Sequence, residues 1–283
     1  MLTFLPTPIG NLSDISLHVL EALNESDIVV CEDTRVTKKL LILLQRNPIV
    51  SQHFPMIAPD NKKFLSFHSH NQEKFIQHLT PDFFKQNIVF CTDAGMPNIS
   101  DPGTLLLQYA RSHQIKYQVL LGGSAFSHAF VNSGLEGGFC FLGFLPHKQH
   151  ERQNMLKESL EFHKTLHIIY YESPKRLRES LKDIALIMPL AKVYLYKELT
   201  KLYQSEMIGL AKDILSNLPK DILGEYCIII QKDDKHIAQN KILSLTQEDI
   251  LQLDISLKQK SKLLAQISQK NAKEWYALLL EHS

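Results

Sequence analysis

Between an apolar run, Asn87 to Cys91, and a stretch of helical spacing, Thr104 to Arg111, lie twelve residues reading TDAGMPNISDPG, Thr92 to Gly103. The run before them predicts a short buried strand and the spacing after them a helix. The twelve themselves cannot form regular structure. Pro97 and Pro102 fix φ and donate no N–H, while Gly95 and Gly103 admit conformations and close approaches that other residues resist. An ordinary strand-to-helix connection needs only about two to six residues. A longer, rigid, side-chain-poor loop at the carboxyl end of a strand is where open α/β sheets hold ligands. An α/β fold with a ligand loop at residues 92–103 is therefore expected.

The same alternation of strand and helix runs along most of the chain. In the first half, strands are expected at Leu2–Leu5, Asp27–Cys31, Phe64–Phe67, Asn87–Cys91 and Tyr117–Leu121. Helices are expected from Ile15 through Leu23, from a Thr34 cap to Leu44, and over Glu73–Leu79, with Asn47–Lys63 as a proline-rich surface loop. The second half begins near LGGSAF, Leu121 to Phe126, where Ser124 can cap a helix reaching Val131. Strands follow at Phe139–Leu145, Leu166–Tyr171, Lys192–Tyr196 and Glu225–Gln231. Helices are expected from Pro146 to Phe162, from Pro174 in a first turn to Met188, and over Gly209–Leu218. Repeated βα units predict largely parallel pairing. The outcome is two α/β domains, 1–120 and 121–233, with no flexible linker between them.

After Asp233 the strand signals stop, and 234–283 reads as a basic helical extension. Thr246 with Asp249 resembles a capping box. Ser256 can cap a helix over Leu257–Ser268, and Ala272–Glu281 predicts another, with Leu263, Leu264 and Ile267 facing Trp275, Tyr276 and Leu279. Between Leu257 and Lys273 there are five lysines (Lys258, Lys260, Lys262, Lys270, Lys273) and no acid. An RNA contact and a plain solvated helix face both fit that pattern.

Composition narrows the class. With 44% hydrophobic and 22% charged residues the chain can bury an ordinary core. A formal net charge of +1 neither demands nor excludes nucleic acid, so any basic surface must be local. No apolar run reaches the roughly 18 residues of a membrane span. The start, MLTFLPTPIG, lacks the basic and long apolar regions of a secretory signal, so a cytoplasmic protein is expected. Cys31, Cys91, Cys140 and Cys227 sit in strand-like runs without CxxC spacing and read as buried free thiols.

Several chemistries lack their motifs. There is no GxxxxGK[ST] for phosphoryl transfer, no GxGxxG after the first strand, no HExxH and no GxSxG elbow. A nucleotide-like ligand must be held by other loops. The candidates are Pro6–Asn11, Asp93–Gly103 and Leu121–Ala125, all at expected strand ends.

Eight motifs then stand in order: PTPIGNLSDIS (from Pro6), EDTR (Glu32), HSHN (His68), DAGMPNISDPG (Asp93), GGSA (Gly122), GFLPHK (Gly143), YESPKR (Tyr171) and KELTK (Lys197). Together they resemble the ribosomal RNA small subunit methyltransferase I family, the 16S rRNA cytidine-2'-O-methyltransferases of the tetrapyrrole methylase superfamily. The resemblance covers about residues 2–230, and the basic tail is similar to the family's C-terminal extension. Leu121 and Gly123 stand where the family usually has prolines (PGPSA), and Met96 where it has threonine (DAGTP). Those changes loosen a cofactor loop but remove no chemistry, since such loops bind largely through backbone groups.

The resemblance implies S-adenosylmethionine held, without metal, in a cleft between two α/β domains. Carried over by position, Ile9 and Gly10 of the first loop, Asp93, Gly95, Met96 and Ile99 of the glycine-containing loop, and Ser124 and Ala125 at the junction bind it. Tyr171 and Leu199 close the pocket from the second domain. It also implies 16S rRNA or the small ribosomal subunit as partner and a homodimer as the assembled form.

Methyl transfer to a ribose 2'-hydroxyl gains mainly from positioning, with a base to take the proton. Polar residues at strand ends that could face the cleft are Glu32, Asp33, Arg35, His68, His70 and Asn71 in the first half, and Lys148, Arg152, Glu172, Lys175, Arg176, Glu198 and Lys201 in the second. Here His70 or Glu32 is the expected base, with Arg35 orienting it. Lys148, Arg152, Lys175, Arg176 and Lys201 are the expected phosphate contacts, which position RNA without reading sequence. Two alternatives stay open: a methyltransferase for a corrinoid or porphyrin precursor, and a non-catalytic RNA-binding factor. The lysine-rich tail and the EDTR and HSHN motifs favour RNA.

Overall fold

The structure is a computed structural model that describes residues 1–233, 247–268 and 270–281. Residues Met1–Asp233 form one compact unit and Asp234–Ser283 belong to another.

The first sheet contains β1 (Leu2–Phe4), β2 (Ile28–Cys31), β3 (Lys63–Ser66), β4 (Ile88–Cys91) and β5 (Tyr117–Val119), in the order β3-β2-β4-β1-β5. Every pairing in it is parallel. Strands of such a sheet are buried on both faces and read as continuous apolar runs. In β4, Val89 and Cys91 face α1 (Leu17–Glu25) and α2 (Thr34–Gln45), packing with Val19, Leu23, Leu41 and Leu44. Ile88 and Phe90 point the other way, to Leu106 and Ala110 of α5 (Thr104–Ser112), as a side-chain period of two requires.

Two local expectations need correction. The cap of α2 is Asp33, not Thr34: its Oδ1 accepts the Arg35 N–H at 2.8 Å. The segment Asn47–Lys63 is no plain loop. It holds α3 (Pro48–His53), capped by Asn47, and two single turns at Pro55–Ile57 and Pro59–Asn61. Each begins on a proline, whose fixed φ and missing N–H suit a first turn. Val50 and Ile57 are thereby buried under α1 and α2. The remaining helix of this half, α4, spans Gln72–Gln77.

The second sheet contains β6 (Phe139–Phe144), β7 (His167–Glu172), β8 (Lys192–Lys197), β9 (Ser205–Leu210) and β10 (Tyr226–Ile230), in the order β6-β7-β10-β8-β9. Only β6 and β7 pair in parallel. β10 runs antiparallel to both β7 and β8, and β9 antiparallel to β8. Largely parallel pairing thus holds for the first half and fails for the second. The chain between β8 and β9 turns back directly, and a parallel return would have needed a crossover helix. The end of β9 occupies residues where the spacing predicts a helix, which begins instead at Ala211. On one face lie α7 (Gln149–His163), α8 (Leu177–Ile187) and α9 (Ala211–Asn217). On the other lies α6 (Ala125–Ser133), with Ala129 packed on Ile169, Tyr196 and Ile229. Pro174 precedes α8 rather than entering its first turn.

The second unit, taken by itself, has α10 (Gln247–Gln252), α11 (Leu257–Ile267) and α12 (Ala272–Glu281) around Ile250, Leu264 and Leu279. Ser256 and Gln259 form a capping box at the start of α11. Leu263 and Trp275 pack on this small core, while Ile267 and Tyr276 stay exposed. The expected Thr246 cap lies outside the described residues.

Candidate active site

In the first sheet β1 and β4 are neighbours, yet the chain leaves them toward opposite faces: β1 feeds α1 and β4 feeds α5. The crevice opened by such a reversal, outside the carboxyl ends of the strands, is where open sheets bind ligands. Two backbone hydrogen bonds lock the loops there, Thr7 N–H to Gly95 O at 2.9 Å and Gly95 N–H to Thr7 O at 3.0 Å. The Thr7 hydroxyl donates to Thr92 O, and the Asp33 N–H donates to Asp93 Oδ1 at 3.2 Å. Gly95 (φ +85°) and Gly103 (φ +132°) hold conformations that side chains resist.

The carboxyl ends of β6, β7 and β8 and the start of β10 face this crevice. Together they enclose a cavity of about 410 Å³. Its apolar walls are Ile9, Met96, Ile99, Ala125, Phe144 and Leu199. Tyr171 closes one side, its hydroxyl accepting the Phe126 N–H at 3.0 Å. Glu32, Asp93, Asp101, Glu172 and Glu225 line it, and among the described residues no Lys or Arg does. Burial, then the Asp93 charge, raises the Glu32 carboxyl above its usual range, and burial also raises Asp93. Asp101 is pushed up to about 7 by burial and by the charges of Glu32, Asp93 and Glu225.

Of the residues expected to hold a cofactor, Ile9, Asp93, Gly95, Met96, Ile99, Ser124, Ala125, Tyr171 and Leu199 line this one cavity. Gly10 lies beside it, under the loop after β8. A side chain there would begin 2.4 Å from Lys201 Cγ, 2.6 Å from Thr200 Oγ1 and 3.0 Å from Leu199 O. The expected catalytic set divides. Glu32 lines the cavity; His70 is exposed and outside it, its N–H on His68 Nδ1. Arg35 orients neither: its exposed guanidinium grips Asp33 through Nε at 3.1 Å and Nη2 at 2.6 Å. That grip holds the Asp33 carboxyl down at about 2.

The expected phosphate contacts need heavier correction. Arg152 is buried, with Nε 2.6 Å from Asp183 Oδ2 and Nη1 on the carbonyls of Pro146 and His147. It ties α7 to α8 and cannot reach RNA. Arg176 is likewise engaged, with Glu172 at 2.8 Å and Leu145 O at 2.6 Å. Lys201 bridges Glu198 and Glu225 at 3.1 and 2.8 Å. Lys148 and Lys175 are exposed, Lys148 in a surface pair with Glu151. Sequence reasoning missed Asp101, Phe144 and Glu225. Asp101 lay inside the loop already singled out, in the SDPG stretch, and Phe144 inside the GFLPHK motif; Glu225 carries no local signal.

Comparison with known proteins follows the same lines. Residues 1–214 match the family model of the tetrapyrrole (corrin/porphyrin) methylases. Ribosomal RNA small subunit methyltransferase I of Helicobacter pylori (strain J99) is 44% identical over 282 residues, 98% of this chain and 96% of its own. The protein of the same name from Campylobacter fetus is 40% identical, over 99% of this chain and 100% of its own. The chain belongs to the ribosomal RNA small subunit methyltransferase I family of tetrapyrrole methylases. Among solved structures, the methyltransferase CobJ shares the fold with a TM-score of 0.59 at 14% identity, covering 82% of this chain and 93% of its own. Uroporphyrin-III C-methyltransferase from Thermus thermophilus, complexed with S-adenyl homocysteine, does so at 0.53 and 12%, covering 81% and 96%.

The cofactor of this fold family is S-adenosylmethionine, and the cavity suits it. Its volume is within the roughly 300–1,000 Å³ of small-ligand sites. The apolar walls suit an adenine. The carboxylates suit a ligand whose sulfonium and ammonium outweigh its one carboxylate. Among the described residues no helix is long and apolar enough to cross a membrane, and no group of three or more His, Cys, Asp or Glu could hold a metal ion.

Proposed function

We propose that this protein transfers a methyl group from S-adenosylmethionine to the ribose 2'-hydroxyl of a cytidine in 16S rRNA. The observation that carries this reading is near-full-length identity, 44% over 98% of the chain, to a ribosomal RNA small subunit methyltransferase I. The bound cofactor supplies an electrophilic methyl on a sulfonium. The chain supplies position. Ile9, Met96, Ile99, Ala125 and Leu199 would enclose the adenosine, and Gly95, its N–H and C=O both paired with Thr7, holds the loop in a conformation that keeps its backbone close to Ile9. Carboxylates within a low-dielectric cavity favour the cation strongly. Lys148 and Lys175, both exposed, are the side chains that would meet phosphates.

The partner is then 16S rRNA or the small subunit, in the cytoplasm, and the working form a homodimer. The deciding experiment maps 2'-O-methylation in 16S rRNA from cells with and without this protein, and adds the purified protein back. Loss of one cytidine methyl group and its restoration are expected; an unchanged map overturns the reading. Sedimentation equilibrium that returns the 32.5 kDa monomer at micromolar concentration removes the homodimer.

A further inference from the structure

The carboxylates of the cavity differ in what already holds their oxygens. Glu172 accepts from Arg176 at 2.8 Å, from the Ser173 N–H at 2.7 Å and from the Ser180 hydroxyl. Asp93 accepts the Asp33 N–H, and Glu32 takes a backbone hydrogen bond from Asp93, so each braces the other's loop. Glu225 is mostly exposed and pairs with Lys201 at 2.8 Å. Asp101 makes no ion pair among the described residues, and the Thr92 hydroxyl beside it is buried without a hydrogen-bond partner.

The backbone holds Asp101 firmly. Ser100 before it has φ +66°, Pro102 after it fixes φ, and Gly103 has φ +132°. A side chain on Gly103 would begin 2.3 Å from Asn98 Oδ1 and 2.5 Å from Phe90 Cε1, so the loop is pressed onto the end of β4. Ser100 Oγ lies 3.7 Å from where a Gly143 side chain would start, which brings the loop against β6 of the second sheet. Asp101 therefore faces the cavity from a rigid loop that touches both halves.

We infer that Asp101 is the group that takes the proton from the acceptor hydroxyl, an inference resting on the proposed methyl transfer to ribose. As the hydroxyl oxygen bonds to the methyl carbon, the O–H bond breaks and its proton passes to the Asp101 carboxylate. The carbon–sulfur bond breaks with its electron pair left on sulfur, so a sulfonium becomes a neutral thioether. The carboxylate becomes a neutral acid, and charge balances within the cavity. The groups facing Asp101 are Glu32 from the end of β2, Asp93 from its own loop, Glu225 before β10 and the Tyr171 phenol of β7. Burial and those three acids raise its carboxyl, to about 7 before the cofactor's positive charge acts, which draws it down again. A base is most effective when its pKa lies near the working pH; an ordinary carboxylate is far weaker.

The test compares wild type with Asp101→Asn and Asp101→Glu. Single-turnover methylation of 16S rRNA is followed from acid to alkaline pH, S-adenosylmethionine affinity by calorimetry, and aspartate carboxyl titration by carbon-13 NMR. Asp101→Asn is expected to slow methyl transfer by about 10²- to 10⁴-fold and to remove the rising limb of the pH profile, with cofactor binding retained. Asp101→Glu is expected to recover part of the rate and that limb. One carboxyl resonance titrating near 7 in wild type should be missing from Asp101→Asn. If wild type methylates and Asp101→Asn keeps its rate and pH limb, the inference is overturned and the functional reading stands. Loss of cofactor binding in both variants, in step with activity, also overturns it, by making Asp101 a cofactor support. A wild type that methylates no 16S rRNA overturns the functional reading and the inference with it.

Discussion

Arg152, four residues past the GFLPHK motif, looks like a phosphate ligand, yet its partner Asp183 lies on the next helix, invisible to any local pattern. Removing one member of a buried ion pair leaves the other charge uncompensated, at a cost of about 3–5 kcal/mol. Arg152→Ala should therefore lower stability by that order in urea denaturation, while RNA affinity per folded molecule keeps its salt dependence. A flattened salt slope in folded protein would restore Arg152 as a phosphate ligand. Asp101 raises a question of sign. Its carboxyl is near 7 in the fold and near about 3.9 in an unfolded chain, so between those values the folded state binds the extra proton. Stability from this group is present below that window and is lost as pH rises through it. Asp101→Asn should thus melt higher than wild type by a margin that grows from about pH 4 to about pH 8. A margin independent of pH would show that the carboxyl titrates normally. Residue types and spacings made the cofactor loops legible, because glycine and proline act through their own backbone. Charged residues were not, because their role depends on the partner across the fold.

At the scale of elements, the first sheet was readable because β1, β2 and β4 are buried on both faces and each helix shows one apolar face. The second was half readable. β10 announces itself as Tyr226–Ile230 but not its two antiparallel neighbours, and β9, a half-exposed edge carrying Glu206 and Gly209, lacks the buried pattern that marks a strand. The loop after β4 was the clearest element of all, and its conformation makes a sharp test. Gly95 has φ +85°, and a Cβ there would stand 3.3 Å from Ile9 Cγ2. A β-branched residue in that conformation costs about 1–3 kcal/mol. Gly95→Val should weaken S-adenosylmethionine binding by roughly 5- to 150-fold, which is that range in affinity terms. Calorimetry showing unchanged affinity would remove this loop from the cofactor site. Gly122→Ala probes the junction in the same way: its Cβ would fall 2.2 Å from Cβ of the rigid Pro6 ring. Overpacking of this kind costs about 1–3 kcal/mol, so a lower melting temperature is expected, and an unchanged one would mean the two loops are free to part.

For the whole molecule, the α/β unit carries the cavity, and the C-terminal unit has a core of its own. Of the five lysines between Leu257 and Lys273, Lys260 donates to Leu251 O at 2.7 Å and Lys270 lies over the Trp275 ring at 5.5 Å. Lys258, Lys262 and Lys273 are exposed. Every phosphate that a lysine no longer neutralises should reduce the slope of log affinity against log salt by about 0.7 to 0.9. A chain ending at Asp233 keeps every residue that lines the cavity, so it should bind S-adenosylmethionine with the affinity of the full protein. Its binding to 16S rRNA should be weaker at low salt and less sensitive to added salt. Substituting Lys258, Lys262 and Lys273 together by Gln should give most of the same change without removing the helices. The measurement is a matched salt series of cofactor affinity, RNA affinity and methylation for the full chain, the shortened chain and the triple variant. If all three share one salt slope and one methylation rate, the C-terminal unit does not anchor RNA, and its lysines form a solvated helix face. If the shortened chain loses the cofactor as well, the unit supports the α/β fold, and the boundary after Asp233 has to move.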